Sequence, residues 1–172
     1  SIACYTGYNQ EDSLVLNQSA IDRGLFRSWK INKHNDTVCK NPSTSQDDIF
    51  VKPDRNKVTS MKDSNYDKLN ERGFVPEETI LENGDIIIGK ISPIQPTANS
   101  SKVYKDCSTV YKSNVNGVVD TVNTGIYNND GYEMYSMKVR SERTPIIGDK
   151  LCSKHGQKGT IGITLSSADM PF

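Results

Sequence analysis

Two clusters of charged and small residues, one toward each end of the chain, are of the kind that handles phosphates and metal ions. The first is Gly7-Tyr8-Asn9-Gln10-Glu11-Asp12-Ser13, where adjacent carboxylates, Glu11 and Asp12, sit beside two amides in a turn-forming stretch. The second is Ile147-Gly148-Asp149-Lys150, followed by His155-Gly156-Gln157-Lys158-Gly159-Thr160-Ile161-Gly162, which sets cations among glycines. Magnesium takes one or two carboxylates and fills its remaining positions with water and substrate phosphate. A pair of such ions about 4 Å apart steadies the attacking and leaving oxygens of an in-line displacement. A lysine placed after a tight turn aims a point charge at a phosphate, and glycines let backbone come close to one. Neither cluster supplies both carboxylates and unopposed cations, so the chain is expected to fold back and bring its ends together.

Each of these residues also has a plainer reading. An exposed Glu-Asp pair in a loop is usually just solvated, and Lys150 could be an ordinary surface-turn lysine. Asn9 and Gln10 could hydrogen-bond a nucleotide, but holding the turn comes first. His155 has no Cys, Ser or Asp placed beside it to make a nucleophilic triad, so a hydrogen-bonding role in its loop is at least as good as a catalytic one. The glycine-rich segment is not a Walker A loop, because the G-x-x-x-x-G-K-S/T pattern is absent.

The elements that must position these clusters come from a chain of 172 residues, long enough for one domain or one domain with an insertion. The hydrophobic share is 34% and the mean hydropathy −0.61, a low apolar content that fits long polar loops or surfaces shaped against neighbours. The 21 basic and 21 acidic residues cancel, so bulk charge does not mark a nucleic-acid binder. Their distribution is more informative. Between Lys138 and Lys158 lie Lys138, Arg140, Arg143, Lys150, Lys154 and Lys158, against Glu142 and Asp149, a basic stripe that could track a phosphate backbone or be a solvated face. Cys4, Cys39, Cys107 and Cys152 are far apart with no C-x-x-C pair, which argues against zinc in this segment and for a reducing, intracellular setting. No apolar run approaches membrane-spanning length. The chain starts on Ser1 rather than Met, and both termini are expected to be truncation points.

Along the chain, Ile2–Tyr5 and Leu14–Leu16 have strand character around the acidic turn. Ser19 is expected to cap a helix of about two turns, with Asp22 near its positive end and Gly24 as its stop. Leu25 and Phe26 should be core, and Arg23 or Arg27 could tie to another subunit. Residues 41–48 and 97–101 are loops by composition, and 62–72 is irregular. Ile86–Ile91 is a β-branched strand ended by Pro93, and Gly117–Val122 is another. Asn128-Asn129-Asp130-Gly131 is a strong turn signal, with Tyr132–Val139 completing a hairpin. Gly159–Leu165 is a last strand. Tyr5, Tyr8, Trp29, Tyr104, Tyr111 and Tyr135 form no spaced stacking platform, and core or interface packing is the better reading for them. The sum is a mainly β chain with one or two short helices and long loops.

The segments GYNQEDS, IDRGLFRS, GDK and HGQKGTIG, in that order, with the closing Asp169-Met170-Pro171-Phe172, closely resemble the second-largest, beta-type subunit of multisubunit DNA-directed RNA polymerases. The resemblance covers essentially the whole chain, more loosely in the middle third, and makes the chain look like an internal piece of that subunit. It implies a double-psi β-barrel whose half-sequences, residues 1–27 and 139–172 (the second truncated), are interrupted by a β-rich wall or flap insertion over 28–138. It also implies nucleotidyl transfer in DNA-templated RNA synthesis, active only in the assembled complex. Asp12, with Glu11, would help place the second magnesium ion, the main ligands coming from the largest subunit. Lys150 would reach the RNA 3′ end and the nucleotide, with Arg143 as the nearest candidate for an assisting upstream cation. Lys158 would lie near the hybrid backbone, with His155 supporting the loop and Gln10 beside the nucleotide. The implied partners are the largest and other polymerase subunits, DNA template, RNA product and nucleoside triphosphates, with no membrane. Location would be nucleus or cytoplasm, or a viral factory or virion. The fifteen asparagines suggest an AT-rich genome, and the details look closer to eukaryotic-like than bacterial polymerases, with a large DNA virus a reasonable source.

Two other functions fit the same residues. A non-catalytic nucleic-acid-binding β-barrel would bind single strands alone with strong salt dependence, but it has no need of Glu11-Asp12. A subunit-assembly module would use the polar motifs only to hold neighbours, and it can coexist with the polymerase reading.

Overall fold

The computed structural model describes residues 3–42, 44–95 and 102–171. Thirteen strands follow in chain order: β1 (Ser13–Asn17), β2 (Ser28–Thr37), β3 (Ile49–Phe50), β4 (Val58–Thr59), β5 (Ile80–Leu81), β6 (Ile86–Ile88), β7 (Lys90–Pro93), β8 (Tyr104–Asp106), β9 (Thr109–Val110), β10 (Gly117–Tyr127), β11 (Glu133–Arg143), β12 (Lys150–Cys152) and β13 (Lys158–Leu165). One short helix, α1 (Gln18–Asp22), and a 3-10 turn at Ser167–Asp169 complete the described elements. The class is mainly β. The chain divides into two compact units, residues 1–29 with 142–172, and residues 30–141.

In the first unit the sheet order is β1-β13-β12. β1 and β13 run parallel, pairing Ser13 with Thr160 and Leu14 with Ile161, then Val15 with Ile163 and Asn17 with Leu165. A parallel pair cannot be joined by a tight turn, and here the connection includes the whole second unit. The register slips between Leu14 and Val15, so Gly162 has no partner across the ladder. It needs to be glycine, because a Cβ there would lie 2.4 Å from the Tyr8 carbonyl oxygen. Ile161, almost fully buried, anchors β13.

Helix α1 corrects two expectations. Its cap is Asn17, whose side chain accepts the Ala20 N–H, and Ser19 lies inside the helix. The helix is only five residues long, and Asp22 sits at its end, held by Gln18 Nε2 at 2.8 Å. Gly24, at φ +105°, turns the chain out. Phe26 follows at φ +54° and is 55% exposed rather than core, while Leu25 is half-buried. Ala3–Tyr5 is not a strand, because its backbone is tied to a side chain instead: Asn9 accepts the Tyr5 N–H and donates to the Ala3 carbonyl. Ile2, Ser43, residues 97–101 and Phe172, on which other expectations fall, lie outside the described residues.

The second unit contains sheets ordered β3-β7-β8-β4 and β6-β9, and most of the sheet ordered β2-β11-β10-β5. β2 was not foreseen. It is polar along most of its length, with a burial pattern that leaves its first four residues exposed, so it carries no clean alternation. The apolar run expected as one strand is two, broken at Gly89, where a Cβ would meet the Val51 carbonyl at 2.5 Å. The β10–β11 hairpin closes through Asn128, whose side chain accepts the N–H groups of Asp130 and Tyr132. Ile86, Ile87, Ile88, Val119, Met137 and Val139 form the centre of the core, with Tyr135 stacked on Phe50 at 4.0 Å between ring centres. The segment 62–72 has no regular element, as expected, yet it contributes buried Tyr66 and Leu69.

Buried charge in this unit is paired. Lys90 reaches Asp36 at 2.5 Å and the Thr37 carbonyl. Tyr66 donates to Asp106 at 2.7 Å, and burial with that carboxylate pushes its phenol up to about 12. Burial pushes the Asp85 carboxyl up, but Lys68 Nζ at 2.7 Å, the Glu82 N–H and Asn65 outweigh it, and the group is held below the usual carboxylate range.

Two outcomes follow from these contacts. Gly162→Ala forces β13 away from the Tyr8 backbone and should cost about 1–3 kcal/mol, as overpacking does, read as a lower denaturation midpoint. Because the folded Asp85 carboxyl is depressed, its stabilisation is present above the unfolded value of about 3.9 and is lost as pH falls through the folded value. Lys68→Met should raise the Asp85 midpoint in a carboxyl NMR titration and start acid unfolding at higher pH. Overlaying acid-unfolding curves for the two proteins would contradict that assignment.

Candidate functional site

The acidic turn is closed by backbone and braced on its leading side by an amide. The Asn9 side chain binds the backbone of Ala3 and Tyr5 before the turn, and the Ser13 N–H donates to the Gln10 carbonyl at 3.1 Å, closing a turn with Glu11 and Asp12 at its centre. Glu11 sits at φ +55°, a left-handed conformation that costs a non-glycine residue on the order of 1 kcal/mol or more. Both carboxylates are exposed. Asn9 is therefore a turn-holding residue, and the exposed Gln10 supplies its backbone carbonyl to the same turn.

The cations are delivered by a hairpin. β12 and β13 pair antiparallel, Lys150 opposite Thr160, Leu151 opposite Gly159 and Cys152 opposite Lys158. Thr160 also pairs with Ser13 across β1, and its N–H donates to the Asp12 carbonyl at 2.8 Å. One residue thus ties the acidic turn to the lysine strand. Asp12, Lys150, Lys158, Gly159 and Thr160 line a common hollow of about 200 Å³. Gly159 serves packing within the chain, since a Cβ there would lie 2.8 Å from Leu14 Cδ1 and 3.2 Å from the Asp12 carbonyl oxygen.

The other expected residues stand outside that lining. Glu11 and Gln10 are in the adjoining turn. His155 is exposed at the tip of the hairpin loop, where its backbone N–H donates to Ser153 Oγ at 3.2 Å. Arg143 is committed within the chain, its guanidinium donating to Asp149 Oδ1 at 2.8 Å. That bond and the Ile146 N–H, which donates to Asp149 Oδ2 at 3.1 Å, hold the Asp149 carboxyl below the usual carboxylate range. Lys150, one residue on, is exposed and makes no ion pair among the described residues.

The basic stripe expected over 138–158 divides between the two units. Lys138 and Arg140 belong to the second unit, and Arg140 is bound by Glu78 and Asp120 at 2.6 and 3.0 Å. Arg143 is paired as described, while Lys150, Lys154 and Lys158, in the first unit's share, make no ion pair among the described residues. Arg27, considered for an outside contact, pairs with Glu142 at 2.8 Å. Of the six aromatics, Tyr111 and Tyr135 are buried, Tyr104 is half-buried, and Tyr5, Tyr8 and Trp29 are exposed.

Thr160 and Asp149 are the site-forming residues that sequence reasoning did not single out. Thr160 acts through its backbone, which leaves no mark on residue type. Asp149 was visible inside the GDK segment, but only as one of the two acids diluting the stripe.

Beside the hollow lies a larger, apolar one of about 630 Å³, lined by Leu14, Leu16, Phe26 and Leu151 together with Cys152 and Lys158. All four cysteines are free thiols. Among the described residues no three His, Cys, Asp or Glu side chains gather closely enough to hold a metal ion, and no helix is long and apolar enough to cross a membrane.

The family model described as RNA polymerase Rpb2, domain 6, matches residues 1–172. The chain is 50% identical over 173 residues to DNA-directed RNA polymerase subunit 2 of Acanthamoeba polyphaga mimivirus, covering all of this chain and 14% of that protein. It is 48% identical over 178 residues to the DNA-directed RNA polymerase II subunit RPB2 of Encephalitozoon cuniculi, again over its full length and 15% of the relative. An archaeal relative, DNA-directed RNA polymerase subunit Rpo2 of Saccharolobus solfataricus, is 34% identical over 178 residues, 16% of its length. The chain thus spans about one-seventh of the length of the curated relatives it matches. A match along all 172 residues, by a chain whose two motif-bearing ends pair as parallel strands, places it in one family: the chain belongs to the RNA polymerase Rpb2 domain 6 family.

Proposed function

We propose that this chain is part of the catalytic core of a DNA-directed RNA polymerase and handles the phosphates of the incoming nucleotide and of the RNA end. The observation that carries the reading is the shared hollow of Asp12, Lys150 and Lys158, one carboxylate and two unpaired lysines joined by the Thr160 bridge. The first unit would be part of a hybrid-binding double-psi barrel, and the second the wall insertion.

The reaction would be attack of the RNA 3′-hydroxyl on the nucleotide α-phosphate, forming the new phosphodiester and releasing pyrophosphate. Lys150 would hold phosphate oxygens as charge builds on them. Preorganised cations of this sort are worth most where water is excluded. Lys158, farther along the same hairpin, would bind backbone phosphate of the RNA–DNA hybrid. The donor set here suits a shared magnesium site and no more: Asp12, with Glu11 beside it, can contribute carboxylate oxygens, and the remaining ligands would come from the largest subunit. Magnesium, when bound, supplies charge neutralisation on the phosphate oxygens.

The exposed apolar hollow at Phe26 favours a second role that can coexist with the first, assembly against another part of the polymerase. The same experiment separates the two. In the assembled enzyme, Lys150→Ala should slow nucleotide addition by roughly 100- to 1,000-fold, the range seen on losing one transition-state donor. Asp12→Asn should raise the magnesium concentration needed for half-maximal rate. Near-normal elongation by assembled Lys150→Ala enzyme would remove the phosphate role, and poor assembly with normal specific activity would leave only the assembly role.

A further inference from the structure

The turn that delivers Lys150 is braced by backbone hydrogen bonds and by the Asp149 carboxylate. Asp149 Oδ1 accepts from Arg143 Nη2 at 2.8 Å, and Oδ2 accepts the Ile146 N–H at 3.1 Å. Its own N–H donates to the Ile146 carbonyl at 3.1 Å, and its carbonyl accepts the Ile161 N–H at 2.9 Å. The Gly148 N–H closes the arrangement on the Ile161 carbonyl at 2.8 Å. Every polar group of Asp149 is therefore used within the chain. Its side chain is 17% exposed, against 52% for Arg143. The next residue, Lys150, makes no ion pair among the described residues, and its backbone runs from the turn that Asp149 braces into the pairing with Thr160.

We propose that Asp149 is a positioning residue for the phosphate-handling cations, pinning the 146–149 turn that leads into Lys150 and orienting the Arg143 guanidinium. The inference rests on the phosphate-handling role proposed for Lys150. It explains why an acid stands directly beside a lysine whose positive charge is to be used. The carboxylate takes up Arg143 and a backbone N–H, so it steadies the strand without pairing with Lys150. It also changes the part played by Arg143, whose first partner is Asp149, so that any contact it makes with a phosphate is made from an orientation Asp149 sets. Asparagine is a poor substitute, because its amide nitrogen would present a donor to either Arg143 or the Ile146 N–H.

The test uses assembled polymerase carrying the full-length second subunit, with single-nucleotide addition measured across nucleotide concentrations. Misplacing a charged group by about 1 Å can cost up to 100-fold, so Asp149→Ala should lower kcat/KM roughly 10- to 100-fold in enzyme that assembles normally, and Asp149→Asn should fall between it and the parent. Arg143→Ala combined with Asp149→Ala should be no worse than Asp149→Ala alone, because the two act through one contact. Additive losses would show that Arg143 acts independently of Asp149 and overturn the proposal. Unchanged kinetics in Asp149→Ala, or a loss confined to assembly yield, would overturn it as well. Lys150→Ala run alongside separates the failures. If it adds nucleotides normally, the phosphate reading itself fails. If it is slow while Asp149→Ala is not, only the positioning role fails.

Discussion

The pairing of β1 with β13 is the constraint on which the candidate site depends. Parallel strands need a long crossover, and this one contains 112 residues, 30–141, that form a compact unit of their own. The pairing is what carries Asp12 to Thr160, and Thr160 to Lys150 on its other side. Three chemically distinct residues thus acquire a common hollow through backbone ladder bonds rather than through contacts among their own side chains. A one-residue slip in register would turn every side chain of β13 to the opposite face. The unpartnered Gly162, which admits the Tyr8 carbonyl where no side chain fits, and the nearly inaccessible Ile161 define which register is allowed.

The two units hold themselves together by different means. The second has an aliphatic and aromatic centre ringed by satisfied buried polar groups, Lys90 with Asp36 and Asp106 with Tyr66 among them. Such pairs add little net stability, but removing one member leaves a buried charge without its partner. Among the described residues His34 is the exception: its Nε2 is buried without a hydrogen bond, and burial holds the imidazole below the ordinary histidine range. The first unit has little core of this kind. It relies on a three-stranded ladder, a five-residue helix and turns closed by side chains, and it leaves Leu14, Phe26, Ile146 and Ile147 exposed. A low apolar content spread over two units is thus spent unevenly, in favour of the insertion.

How much of this was legible in the sequence varied with the kind of signal. Strands marked by β-branched runs and by the Asn-Asn-Asp-Gly turn were found, though their ends were short by several residues at β10 and β11. β2 was missed because its more buried positions, Asn32, His34 and Asp36, are polar, so its alternation is not one of apolar and polar residues. Ser19 was taken as the cap in place of Asn17 because both residue types cap well, and only geometry decides between them. Phe26 was assigned to the core on residue type, yet it follows a left-handed glycine and is itself left-handed, which swings it outward. In the site, Asp12, Lys150 and Lys158 were named because the family resemblance gave weight to residue types that alone read as ordinary surface charge, and the strand pairing brings them to one hollow. In the basic stripe, sequence proximity does not reveal that Arg140 and Arg143 have acids waiting for them.

The exposure of the site explains how an arrangement this small could belong to a demanding reaction. Two unit charges 4 Å apart interact by about 1 kcal/mol in bulk water and several-fold more where the effective dielectric falls to about 20. Lys150, Lys158, Glu11 and Asp12 all face solvent here, so each is at the weak end of that range. A phosphate arriving in this hollow would be held loosely unless something else closed over it. Under the proposed function that closure comes from the partner subunit and the nucleic acid, which would bring the missing carboxylates and remove the water. The chain's own task would then be geometric: to keep a carboxylate and two lysines in fixed relation until they are enclosed. A ladder bond at Thr160 and a fully bonded turn at Asp149 are suited to that, because the first acts through backbone, the second spends its carboxylate on Arg143 and the Ile146 N–H, and neither engages the Asp12, Lys150 or Lys158 side chains.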